Sequence, residues 1–194
     1  FRDRRNRLGS YFPPLATLLD KTFIKTTANL DISSGFGEII KMAVSKDSKL
    51  FNILEKNGES LFDSKFDALF ADEVISMSIE GMKVELENNL WEKNLKRVVD
   101  FGHSFSPIIE MRSLHDDRVK TLEHGQAVML DVIFSSCISN IRNLLPISEI
   151  EKIIKVARDV KLDVFHPSFT DSNLLLEALN DTVKHRNGDQ NLPI

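Results

Sequence analysis

Apolar residues recur at helical spacing through most of this chain. From 34 to 47, Phe36, Ile39, Ile40, Ala43 and Val44 fall on one face at a period near 3.6, which predicts a helix with Glu38 and Lys41 together on the opposite face. A second amphipathic segment covers about 48–57 and is expected to stop at Asn57-Gly58. A longer helix is predicted from Asp72, as N-cap, to about Asn89, with Val74, Ile75, Met77, Ile79, Met82, Val84 and Leu86 as its apolar positions. Ser106-Pro107 reads as an N-cap followed by proline at the first helical position, with Ile108, Ile109 and Met111 behind it. His124-Gly125 opens the most apolar run, AVMLDVIFSSCISNI, whose apolar width implies burial on most faces. Ser148 with Glu151 reads as a capping box for a helix to about Val160, and Leu174, Leu175, Ala178, Leu179 and Val183 form the stripe of a last helix over 170–184. Strand character is confined to the two ends. Residues 1–21 carry Gly9, Pro13-Pro14 and the short run LATLL, and Asn187-Gly188 is a hairpin signal. The expected class is mainly α, with short N-terminal and C-terminal strands.

Composition narrows the function more than the fold. The chain has 194 residues, 42% hydrophobic and 28% charged, enough for one domain with an ordinary core. Its net charge of −4, with both signs dispersed, argues against a nucleic-acid partner and leaves the basic start FRDRRNR as a solvated loop or a phosphate contact. The single Cys137 cannot form an internal disulfide and fits a reducing, cytoplasmic setting. No run of eighteen or more apolar residues is present, so no membrane segment is expected. The chain opens without methionine inside what reads as a loop and stops at Leu192-Pro193-Ile194 as a strand begins. A piece of a longer protein is expected.

The candidate chemistry lies in 96–128. His103 and His124 each stand beside a glycine at the edge of an apolar run, a placement that suits a ligand presented into a cleft. Their separation of 21 positions matches no short metal signature, and two structural histidines remain the other reading. Glu38 and Lys41 are either a surface ion pair three residues apart or the polar lining of a cleft. His115-Asp116 has the look of a helical phosphohydrolase pair, but it sits in a run of charges and is expected to be solvated. Asp131, inside the apolar helix, needs a partner, either as a structural acceptor or as support for His124.

Several motifs in order then carry a resemblance. DFGHSFSPIIEM followed by LEHGQAV resembles the paired histidine motifs of the sugar phosphate cyclases, the family of dehydroquinate synthase and the valiolone-type cyclitol synthases. NRLGSYFPP resembles the family's basic-Asn-x-x-Gly loop, SGFGEIIKMAV its Gly-x-x-Glu-x-x-Lys helix, and NNLWEKNLKRVVDFGH its 2-epi-5-epi-valiolone synthase branch.

The resemblance implies a helical metal-binding C-terminal domain over 22–194. Residues 1–21 would belong to an N-terminal NAD-binding domain, and the chain itself has no Gly-x-Gly-x-x-Gly. Glu38, His103 and His124 would hold zinc, or another divalent metal such as cobalt. Lys41, Asp100 and His185 would be catalytic, with His185 otherwise a surface turn residue, and Arg5, Asn6, Lys96 and Arg97 would contact substrate or cofactor. The implied reaction converts sedoheptulose 7-phosphate to a carbocycle in a cytoplasmic homodimer, and this piece alone would be inactive. Dehydroquinate synthase itself is the alternative. It has a lysine where Met82 stands, an asparagine at Asp100 and a histidine at Pro107; Lys83 lies about 100° around the helix and does not replace the lost lysine. Gln126 also replaces a glutamate frequent in the family. A helical module that keeps the motifs without catalysis is the remaining reading.

Overall fold

The computed structural model describes residues 9, 12, 14–91, 93–94 and 97–185. Seven α-helices carry it: α1 (Asn29–Lys46), α2 (Ser48–Asp63), α3 (Ala71–Glu87), α4 (Ser106–Ser113), α5 (His124–Ile141), α6 (Ile147–Asp159) and α7 (Ser172–His185). Short 3₁₀ turns occupy Lys21–Thr26, Val98–Asp100 and Pro167–Thr170.

The apolar width of α5 has a direct cause, because the helix separates two cores. Val128, Met129 and Val132 face α1, α2 and α6, where Phe36, Ile40, Leu54 and Val156 are buried. Ala127 and Leu130 face α4 and α7, against Phe105, Ile109, Phe169 and Ala178. A helix in contact on both sides cannot keep a solvated stripe, so its sequence loses the amphipathic period.

Several expected boundaries move, each for a tertiary reason. Helix α2 runs past Asn57-Gly58 to Asp63, because Gly58 faces α6, where a Cβ would come within 3.3 Å of Val160. The chain turns instead at Lys65 and Phe66, both with positive φ, and Phe66 N–H closes on the Leu61 carbonyl at 2.9 Å. Burial of the Phe66 ring, stacked 4.8 Å from Phe36, offsets the cost of that backbone. Helix α3 starts at Ala71 rather than from an Asp72 cap, and Asp72 and Glu73 instead pair with Lys21 and Lys49 in its first turn. The Ser148 capping box does not form; Pro146 precedes α6 with no side-chain cap.

No strand occurs among the described residues. Leu15–Leu19 is irregular and exposed, as a strand without a neighbouring strand must leave its backbone groups to water. The expected hairpin at Asn187-Gly188 lies outside the described residues. Among those residues, no helix is long and apolar enough to cross a membrane.

Candidate metal centre

Two backbone contacts assemble the site. Helices α1 and α5 cross at Gly37 and Gly125 so closely that a Cβ on Gly37 would lie 2.0 Å from the Gly125 carbonyl oxygen, and one on Gly125 would lie 1.7 Å from that of Ser34. Only glycine permits this approach. Gly125 N–H also donates to Ser34 Oγ at 3.0 Å. Since Glu38 and His124 are the chain neighbours of those glycines, the crossing brings them face to face. The third residue arrives on the turn after Val98–Asp100, where Gly102 takes φ +78 against Val128 and Val132 of α5. Helix α5 grips this segment directly: buried Asp131 accepts from the N–H groups of Phe105 (2.6 Å) and Ser106 (2.9 Å) and from Ser135 Oγ (3.0 Å). Asp131 is therefore the structural acceptor at the N-terminus of α4, replacing the cap expected from Ser106, and does not support His124. Burial pushes its carboxyl up, against those three hydrogen bonds.

Glu38 Oε1 lies 3.0 Å from His124 Nε2 and 3.5 Å from His103 Nε2, and one donor atom from each residue falls within 4.8 Å of the others. The far ring nitrogens are also occupied: His103 Nδ1 faces the Phe101 carbonyl at 3.3 Å, and His124 Nδ1 faces Glu110 Oε2 at 2.9 Å. With protons on both Nδ1 atoms, the two Nε2 atoms beside Glu38 are the ones left to bind a metal. Two imidazole nitrogens and one carboxylate oxygen suit zinc or cobalt with positions left open. Zinc bonds of about 2.0–2.2 Å would separate tetrahedral ligand atoms by about 3.4 Å, close to the 3.0 and 3.5 Å from Glu38 to the two histidines. The donor set fits a metal.

Electrostatics agrees with that fit. Burial acts to raise the Glu38 carboxyl, but hydrogen bonds from His103 and His124 and the charge of Lys41 outweigh it and hold the group well below the usual range. The Glu110 hydrogen bond, followed by that of Glu38, pushes His124 up to about 9. Without metal, its imidazolium bridges the two carboxylates, and a metal must displace the Nε2 proton.

The three residues line a cleft of about 550 Å³, together with Lys41, Arg97 and Asp100 and an apolar wall that includes Met42, Met82 and Leu86. Lys41 is buried. Its Nζ lies 2.6 Å from Glu38 Oε2 and donates to the Val99 carbonyl at 3.1 Å, so the pair is no solvated surface couple. Arg97 grips the Asp100 carboxylate with Nη2 at 2.8 Å and Nε at 3.3 Å. Lys83 pairs with Glu80 and is absent from the cleft lining. Arg5, Asn6 and Lys96 lie outside the described residues, and His185 ends α7 with its side chain outside them.

His115 is exposed, and Asp116 beside it pairs with Arg118 at 2.7 Å. Glu110 is the site residue that sequence reasoning missed. The available signal was an acid inside the apolar run Ile108, Ile109 and Met111. His166 also passed unremarked: it is buried, with its Nδ1 accepting from Ser168 N–H at 3.3 Å and its Nε2 donating to the Lys120 carbonyl at 2.9 Å. It ties two loops together.

Comparison with known proteins places these features. Residues 35–185 match the family described as 3-dehydroquinate synthase C-terminal. A 2-epi-5-epi-valiolone synthase of an Actinomyces species is 42% identical over 200 residues, covering 100% of this chain and 51% of that protein. The demethyl-4-deoxygadusol synthase of Trichormus variabilis is 31% identical, over 96% of this chain and 46% of its own length. Among solved structures, the 2-epi-5-epi-valiolone synthase ValA from Streptomyces hygroscopicus subsp. jinggangensis, with NAD⁺ and Zn²⁺ bound, matches with a TM-score of 0.91 at 42% identity, covering 100% of this chain and 52% of ValA. The chain thus spans about half the length of these relatives. With the paired histidine motifs, the helical architecture and the family match in agreement, this chain belongs to the sugar phosphate cyclase family, and 35–185 is its dehydroquinate synthase-type C-terminal domain.

Proposed function

We propose that these residues form the metal- and substrate-binding half of a 2-epi-5-epi-valiolone synthase, a phosphate-eliminating lyase that cyclises sedoheptulose 7-phosphate with NAD as transient hydride carrier. The reading rests on one observation: Glu38, His103 and His124 converge in a cleft whose lining includes the apolar Met82. Those three residues would hold zinc, which when bound supplies Lewis-acid polarisation of substrate oxygens.

The chain's own groups provide binding and orientation. Lys41 is fixed by Glu38 and the Val99 carbonyl at the cleft lining, a position from which its ammonium puts positive charge beside substrate oxygens. Asp100 is oriented by Arg97 and acts as a hydroxyl acceptor. A neutral polyol supplies hydroxyl donors, whereas the carboxylate of the acidic dehydroquinate synthase substrate meets a thioether at Met82 and an acceptor at Asp100. Arg5, Asn6 and Lys96 are assigned to substrate and cofactor, and His185 to catalysis, by their motif positions. With no Gly-x-Gly-x-x-Gly in the 194 residues, this chain alone is not expected to turn over. A cytoplasmic homodimer belongs to the same reading.

The test is an assay of the full-length protein with both sugar phosphates. The expected result is NAD-dependent phosphate release from sedoheptulose 7-phosphate and little from the acidic seven-carbon substrate. Preference for the acid overturns the assignment, as does an unchanged product and rate after exchange of Asp100→Ala with His185→Thr.

A further inference from the structure

The two histidines of the centre are held from behind by different groups. His103 Nδ1 meets a neutral backbone carbonyl at 3.3 Å, whereas His124 Nδ1 meets the carboxylate of Glu110 at 2.9 Å. Glu110 is only 5% exposed. Burying a carboxylate is costly unless its partners hold it, so this acid in the apolar run of α4 calls for a role.

We propose that Glu110 is the positioning residue of the metal centre and acts through His124; the inference rests on the metal site of the function proposed above. Glu110 is set in a frame of buried contacts. Ser113 Oγ donates to the Glu110 carbonyl at 2.8 Å and accepts from Leu122 N–H at 3.0 Å, two residues before His124. At its other end, α4 is held by Asp131 of α5, the helix that His124 opens. The side-chain bond from Glu110 to His124 therefore closes a loop whose remaining links are backbone and buried side chains.

Two consequences follow. Nδ1 is committed to Glu110, so Nε2 is the nitrogen that meets the metal. The carboxylate also makes the ring a more basic donor than His103, so His124 is the tighter of the two nitrogen ligands.

The experiment is Glu110→Gln in the full-length protein, a change that keeps side-chain shape and removes charge. Zinc affinity is read by competition with a chromophoric chelator, with Glu38→Ala as the reference for a lost ligand. We expect Glu110→Gln to weaken zinc binding by about 10–100-fold and to shift the ¹⁵N resonance of His124 Nδ1. Zinc affinity within about twofold of the parent overturns the proposal, as does a fall in metal-free Tm with an unchanged zinc constant. Should Glu110→Gln not fold, NMR of the zinc-loaded parent decides. A His124 Nδ1–H protected from exchange upholds the assignment, and an unprotonated Nδ1 refutes it. Because metal rather than turnover is read, the failures separate: intact zinc binding in Glu38→Ala removes the centre itself, whereas intact binding in Glu110→Gln alone removes only the role of Glu110.

Discussion

His124 and His115 lie in the same short stretch of chain, each close to acidic side chains, and they end in opposite situations. His124 sits between Glu38 of α1 and Glu110 of α4, both supplied by helices packed against its own. Beside His115, Asp116 is claimed locally by Arg118, which holds it down at about 2 through an exposed hydrogen bond. The contrast separates two kinds of charge pairing. A partner two residues away closes a turn on the surface, where solvent screens the pair and little is gained. Partners brought from distant helices are fixed by the cores behind them, so their donor atoms converge.

The largest expected effect comes from removing the convergent residues. Zinc-binding free energies of about 10–16 kcal/mol in sites with four protein ligands correspond to about 2.5–4 kcal/mol for each, so His124→Ala or Glu38→Ala should weaken zinc binding by on the order of fifty- to a thousandfold. His115→Ala should leave the same titration unchanged; an effect of comparable size would erase the contrast.

Next comes the crossing itself. Gly125→Ala would drive a methyl into the Ser34 carbonyl, and overpacking of this kind costs about 1–3 kcal/mol. A fall in Tm together with weaker zinc binding is expected, whereas Gly35→Ala, whose Cβ meets nothing within 4 Å, should lose neither. Denaturant titrations of the two variants decide it.

Asp131→Ala should cost about 1–3 kcal/mol, because the buried N–H groups of Phe105 and Ser106 lose their acceptor. A zinc constant that weakens along with stability would show that this bond also holds the segment carrying His103.

The smallest effect is one of pH on the metal-free protein. The folded pKa of His124 is raised from 6.5 to about 9, so its contribution to stability is complete below about pH 6.5 and is lost as pH rises through about 9. Metal-free Tm should fall across that window, and His124→Ala should flatten the trend. An equal trend in both proteins would place its origin elsewhere.

The sequence by itself determined the helices, the central place of the apolar α5, and the residue types of the centre. Those properties are local or periodic: a run of apolar residues implies burial wherever it packs, and glycine beside a ligand marks a backbone that must come close. Family motifs extended this to Glu38, His103 and His124 as one set, which spacings of 65 and 21 residues could not do alone. Tertiary structure decided the rest. The end of α2 moved because α6 lies against Gly58, and the cap of α4 came from Asp131 on another helix rather than from Ser106. Lys41, legible as half of a surface pair, is buried because the turn after Arg97 closes over it. Glu110 could be found only from the fold, since an acid in an apolar run reads as an interruption until the helix that faces it, and the ring nitrogen that helix presents, are known.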